Sequence, residues 1–152
     1  MKKFVSNNLE ELKKIAKDLA VNLMSRSRLD IGGGALVLAL TGDLGSGKTT
    51  FAQAFAEALG VKEKVKSPTF IIFRKSNIKS QNSKFRHFYH FDVYRINSEK
   101  EILNLGWEEI ISNPENIVLV EWADKIEKIL PKGCVKINFK HLKGDKREIE
   151  IA

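Results

Sequence analysis

One short run constrains this chain more than any other. Gly42-Asp43-Leu44-Gly45-Ser46-Gly47-Lys48-Thr49 follows almost directly on six consecutive apolar residues, Ala35 to Leu40. An unbroken apolar run, without alternation, is the pattern of a strand buried on both faces. Such a strand needs a sheet covered on both sides. Lys48 to Leu59 then reads as a helix, with Phe51, Phe55 and Leu59 about one turn apart. Gly60 stands where a helix C-terminal cap is expected.

The loop itself carries chemistry. Gly42, Gly47, Lys48 and Thr49 meet the spacing Gly-x-x-x-x-Gly-Lys-Thr, the P-loop pattern. Its glycines let backbone N–H groups turn inward and wrap phosphates. Lys48 supplies positive charge to the terminal phosphates, and the Thr49 hydroxyl is a ligand type for Mg²⁺. The following helix aims its free N–H groups at the anion. Strand before and helix after is the placement this mechanism requires. Gly42, Asp43, Leu44, Gly45, Ser46, Gly47, Lys48, Thr49 and Thr50 are the expected nucleotide-binding residues.

Such a loop needs partners that hold the metal and place the water. Ile117-Val118-Leu119-Val120-Glu121 is a second apolar run ending in a carboxylate, the Walker B pattern with glutamate for aspartate. A carboxylate at the end of a buried central strand lies at the ligand edge of the sheet. The other acid is Asp92 in His90-Phe91-Asp92-Val93-Tyr94-Arg95. On a strand, His90, Asp92 and Tyr94 would share one face. The pattern leaves open whether that face is used or simply solvated. His87 and His90 point to opposite faces of the same strand, and Cys134 is the only cysteine, so a zinc site is rejected. Cys134 itself reads as a small side chain at a strand start. Ser67-Pro68-Thr69-Phe70 reads as a loop ending at a strand.

The rest of the chain supplies the frame. Phe4-Val5 suggests a short strand, and Asn7 with Glu10 a helix start. Leu9, Leu12, Ile15, Ala16, Leu19 and Leu23 recur at helical spacing. Phe70 to Lys75 and Phe85 to Phe91 read as strands joined by a polar hairpin loop, Ser76 to Lys84. Ser98 with Glu101 marks another helix start. Val135, Ile137 and Phe139, then Glu148 to Ile151, alternate as strands about the turn Lys143-Gly144-Asp145-Lys146. The expected architecture is α/β: a single domain over residues 1–152 with the P-loop NTPase fold, a mixed central sheet, helices on both faces and peripheral β-hairpins. At 43% hydrophobic, the 152 residues suffice for one real core. No apolar run is long enough to cross a bilayer, and Met1 to Val5 lacks a signal peptide's apolar stretch, so a cytoplasmic protein without membrane contact is expected. The net charge of +7 comes from basic residues scattered along the chain and reads first as a solvated surface. There is no Asn-Lys-x-Asp guanine-reading motif and no arginine-rich lid insert of the kind small-molecule kinases use.

Taken in order, four motifs resemble the TsaE (YjeE) family of bacterial tRNA-modification ATPases. They are Gly42 to Thr50, Ser67-Pro68-Thr69-Phe70, His90 to Arg95, and Val120-Glu121-Trp122-Ala123-Asp124. The resemblance spans nearly the whole chain, with no departure at these positions. It implies an ATPase using ATP with Mg²⁺, slow alone, that acts on a TsaB–TsaD pair in making N6-threonylcarbamoyladenosine at position 37 of tRNA. By position it implies a catalytic set of Lys48, Thr69, Asp92 and Glu121. Thr49, Asp92 and Glu121 would serve the metal and the attacking water, Thr69 would touch the γ-phosphate, and Trp122 would flank the site. Contact with tRNA would be indirect, direct contact being left open. A small-molecule kinase and a nucleotide-dependent binding module are the rival readings.

Overall fold

The computed structural model describes residues 1–26, 32–63, 72–81 and 83–152. The helix signal near the N-terminus produces α1, Leu9–Met24. Its cap is Asn8 rather than Asn7: the Asn8 side chain accepts from the Glu11 N–H at 2.9 Å, and Glu11 Oε2 accepts from the Asn7 N–H at 2.6 Å. Either asparagine can cap, and the buried face follows the helical spacing from Leu12 onward. Leu12, Ala16, Ala20 and Leu23 are buried, while Leu9 is 47% exposed. Leu9 therefore does not belong to the core face expected for it.

The apolar runs become β2, Leu36–Gly42, and β5, Asn116–Glu121. The other strands are β1, Lys2–Ser6; β3, Phe73–Asn77; β4, His87–Asp92; β6, Val135–His141; and β7, Arg147–Ile151. They form one seven-stranded sheet in the order β1-β7-β6-β2-β5-β4-β3. The four inner strands β6, β2, β5 and β4 run parallel, and β1, β7 and β3 are antiparallel to their neighbours. Each hairpin shares one strand, β4 or β6, with the parallel centre and carries the sheet outward with β3 or β7, beyond which β1 adds the last strand. β3 starts at Phe73 and takes in Ser76 and Asn77, which the sequence suggested were loop.

The alternation of side chains divides the core in two. Leu36, Leu38 and Leu40 of β2 face α1 and α2 (Lys48–Ala58), together with Phe51, Phe55 and Phe88. Val37, Ala39, Val118 and Val120 face the other way. There they meet Trp107 and Ile110 of α4, Trp107–Ser112, and Ile126 of a 3-10 segment, Ala123–Ile129. Trp107 packs edge-on against Phe91 with centroids 5.3 Å apart, and its indole N–H donates to the Ile129 carbonyl at 3.0 Å. Burying that ring is therefore free of an unpaired donor. α3, Glu99–Leu103, opens with the capping box that Ser98 and Glu101 announced. Gly42, Glu121 and Asp92 all end up at the carboxyl edge of the parallel strands, because Leu40 pairs with Glu121 and Glu121 with Asp92.

Candidate functional site

At that edge lies a cavity of about 620 Å³. The loop from Leu44 to Thr50 lines it, together with Asp92, Tyr94, Glu121 and Trp122. Glycine is required at two loop positions. Gly42 has φ +139°, and a Cβ there would sit 2.4 Å from the Phe139 carbonyl oxygen. Gly47 caps α2 at φ +105°, and a Cβ there would stand 2.8 Å from Leu12. The first turn of α2 has N–H groups with no intrahelical acceptor, and they open at this end.

Lys48 folds back over the loop. Its Nζ donates to the carbonyls of Gly42 at 2.5 Å and Asp43 at 2.8 Å, and to Ser46 Oγ at 3.3 Å. It also stands 4.0 Å from the centre of the Trp122 ring, a cation–π contact. Burial pushes the Lys48 ammonium below the usual lysine range, opposed by the carboxylates of Glu121, Asp43, Asp92 and Asp124. The loop thus holds a desolvated cation ready for an anion that would restore its charge balance.

Glu121 is the centre of the second set of lining residues. Its side chain is 2% exposed, and both oxygens are engaged. Thr49 Oγ1 donates to Oε1 at 2.7 Å, and His90 Nε2 lies 2.6 Å from Oε2. A hydroxyl that donates to a carboxylate keeps its lone pairs for a cation. Asp92 is half-buried at the same level of the next strand, where its Oδ1 accepts from the Tyr94 N–H at 3.1 Å. Thr49, Asp92 and Glu121 make an all-oxygen set, the donor chemistry that suits Mg²⁺. Among the described residues no group of three or more His, Cys, Asp or Glu is arranged to hold a metal by itself. Mg²⁺ is ordinarily held by one or two protein oxygens together with phosphate and water.

The sequence-derived residues therefore converge, with three qualifications. Thr69, with Ser67, Pro68 and Phe70, lies outside the described residues. Tyr94 reaches the cavity from the turn after β4, not by strand alternation. His90 is no solvated face, being 1% exposed and bound to Glu121. Two further features had little or no signal in the sequence. Trp122 takes a left-handed backbone, φ +62°, uncommon for a bulky residue. That turn lays its ring between Lys48 and Tyr94, whose ring centre is 4.7 Å away. Arg147 returns on β7 and donates from Nη2 to the Gly45 carbonyl at 3.2 Å, a contact between positions far apart in sequence.

Comparison with known proteins agrees on one family. The family model described as "Threonylcarbamoyl adenosine biosynthesis protein TsaE" matches residues 6–149. The tRNA threonylcarbamoyladenosine biosynthesis protein TsaE of Bacillus subtilis (strain 168) is 46% identical over 113 residues, 74% of this chain and 66% of that protein. The protein of the same name from Rickettsia bellii (strain RML369-C) is 36% identical over 150 residues, 97% of this chain and 92% of that one. A solved structure, "Crystal structure of Bacillus subtilus YdiB", superposes with a TM-score of 0.64 at 33% identity, covering 99% of this chain and 83% of that one.

Proposed function

Because the chain belongs to the TsaE family of threonylcarbamoyl adenosine biosynthesis proteins, we propose that it is a Mg²⁺-dependent P-loop ATPase that supports tRNA N6-threonylcarbamoyladenosine formation by acting on a TsaB–TsaD pair. The observation that carries the ATPase reading is the chain of contacts Thr49–Glu121–His90 beside Lys48. A cation for phosphate, a hydroxyl for metal and a buried carboxylate at a cavity mouth are the parts that phosphoryl transfer to water needs.

In this reading the loop N–H groups and Lys48 bind the terminal phosphates. Lys48 then exchanges its contacts with the Gly42 and Asp43 carbonyls for phosphate oxygens. Thr49 and Asp92 would hold the metal, which would supply positive charge to the phosphates when bound. Glu121 orients the attacking water and accepts its proton, and His90 fixes the carboxylate's rotamer from behind. The resemblance assigns Thr69 a contact to the γ-phosphate. Trp122 shields Lys48 from bulk water. The natural setting is the cytoplasm, where tRNA is modified; no described helix is long and apolar enough to cross a membrane.

The test is steady-state ATP hydrolysis, with GTP as control, by the protein alone and with purified TsaB–TsaD. A slow basal rate that rises with the pair supports the proposal. An unchanged rate, with no nucleotide-dependent complex in the same samples, refutes the partner role. Release of ADP that depends instead on a small-molecule acceptor, with no protein partner present, would identify a kinase.

A further inference from the structure

Lysine and arginine are spread along the chain, but the acids are not. No aspartate or glutamate lies between Glu63 and Asp92. Seven of the 26 lysines and arginines fall in that interval, from Lys64 to Arg86, leaving 19 in the rest of the chain against all 19 acids. The formal net charge of +7 is therefore the charge of this one stretch. Its described part is the β3–β4 hairpin, and β3 is the outermost strand of the sheet. Arg74, Lys75, Lys79 and Arg86 are exposed, and Lys84 is half-buried. None of the five pairs with an acid among the described residues. Lys3, Lys13, Lys14, Lys17 and Lys136, on other elements, all do. The acid that the fold brings against the hairpin backbone is Glu115, whose carbonyl accepts from the Arg86 N–H.

Charge alone would suit any acidic surface. The hairpin adds rings. On the face turned away from α1 and α2, Lys75 sits beside Tyr89, and Asn77 beside His87. Phe73 and Tyr89 are half-buried with centroids 6.0 Å apart, and Lys75 Nζ stands 5.7 Å from the Tyr89 ring. Partly open rings on a strand surface, flanked by an amide, an imidazole and cations, match what stacks and hydrogen-bonds unpaired bases while phosphates are held around them. Phe73 and Tyr89 also pack against the core, and an unpaired stretch of nucleotides is an occupant that engages cations and half-open rings together.

We propose that the β3–β4 hairpin is an RNA-docking surface that takes an unpaired stretch of nucleotides. The inference deepens the function above and rests on it only for naming tRNA as the natural RNA. Lys75, Lys79, Arg86 and Tyr89 do not line the cavity at the loop, so the two can be tested apart.

The experiment is fluorescence anisotropy with a labelled single-stranded 12-nucleotide RNA of mixed sequence and with an unmodified tRNA transcript, across a salt series and without nucleotide. Two triple variants carry the same net charge: Lys75→Glu with Lys79→Glu and Arg86→Glu on the hairpin, and Lys132→Glu with Lys140→Glu and Lys143→Glu on an exposed control surface. Losing three phosphate contacts lowers the slope of log K against log salt by about 2 for single strands. The proposal expects that loss in the hairpin variant and a near-parental slope in the control. Tyr89→Leu keeps an apolar side chain but removes the ring, and should weaken binding about fivefold or more at unchanged slope. ATP binding equal to the parent checks that each variant is folded. Equal weakening by both triples would overturn the proposal, reducing it to net charge. So would a hairpin variant that keeps RNA binding, whether or not it loses the TsaB–TsaD pair; loss of the pair would identify an acidic protein as the occupant instead.

Discussion

Replacing Glu121 by glutamine separates the chemistry of this carboxylate from its packing. Glutamine matches the shape of glutamate, and the site can satisfy it. Its amide oxygen can accept from Thr49 Oγ1, at the present 2.7 Å, and its NH₂ can donate to a His90 ring shifted to its other tautomer. Two hydrogen bonds survive, but neither now involves an ion. Charge-assisted bonds contribute about 1.5–3 kcal/mol and neutral ones about 0.5–1.5, so the loss is roughly 1 kcal/mol per bond. A buried carboxylate also carries a desolvation cost that glutamine does not. The two effects oppose, and Glu121→Gln should change stability by about 1 kcal/mol or less, some 2–4 °C in Tm at this chain length. Hydrolysis behaves differently. An amide cannot accept the proton of the attacking water, and loss of a general base costs roughly 10²–10⁴-fold. Single-turnover hydrolysis of labelled ATP, beside a thermal melt, reads both. A variant that melts like the parent and hydrolyses ATP at the parental rate would refute the role given to Glu121. A variant whose Tm collapses would make the carboxylate chiefly structural.

Three further outcomes follow from the same geometry. Asp92→Asn should shift the Mg²⁺ dependence of hydrolysis to higher metal concentration, and an unmoved titration would remove Asp92 from the metal's surroundings. Gly42→Ala places a methyl against the Phe139 carbonyl and forces a φ of +139° on a side-chain residue. Backbone strain of that kind costs on the order of 1–3 kcal/mol, so a melt should fall by several degrees; an unshifted Tm would contradict the loop geometry. Burial pushes the Cys134 thiol up, more than Lys136 nearby lowers it. Since the thiolate is the reactive form, and since its fraction falls as the pKa rises, Cys134 should alkylate more slowly at pH 7–8 than free cysteine and speed up on unfolding; a folded-state rate equal to free cysteine's would contradict that burial.

Much of the site was legible because its parts are local. A buried strand, a glycine turn and a helix lie within Ala35 to Leu59, and the period of apolar residues changes between strand and helix where the structure changes. Glu121 ends a strand whose six residues are all buried, which an uninterrupted apolar run can announce. Ser98 and Glu101 carry their cap in the sequence itself. What stayed hidden depends on partners distant along the chain. His90 becomes a support for Glu121 only through the pairing of β4 with β5, and Arg147 reaches Gly45 only because β7 returns beside β6. Two adjacent asparagines cap equally well in principle, so the sequence does not tell Asn8 from Asn7, and helical spacing alone does not show that Leu9, in the first turn, lines the cavity and not the core. Trp122 was placed near the site by resemblance, but its left-handed backbone has no compositional mark. The basic residues read as scattered because the informative asymmetry is in the acids.

Lys48 is the side chain on which nucleotide binding at the loop most directly depends. Calorimetric titration of Mg·ATP into the parent protein and into Lys48→Ala compares sites that differ by one ammonium, now held by three loop oxygens. Charge-assisted contacts to phosphate are about twice as strong as neutral ones. The parent should bind saturably at one site, and the variant should lose at least about tenfold in affinity, roughly 1.4 kcal/mol. Equal affinity in the two proteins would mean that ATP does not bind at the loop from Gly42 to Thr49, and the reading built on that loop would fall with it.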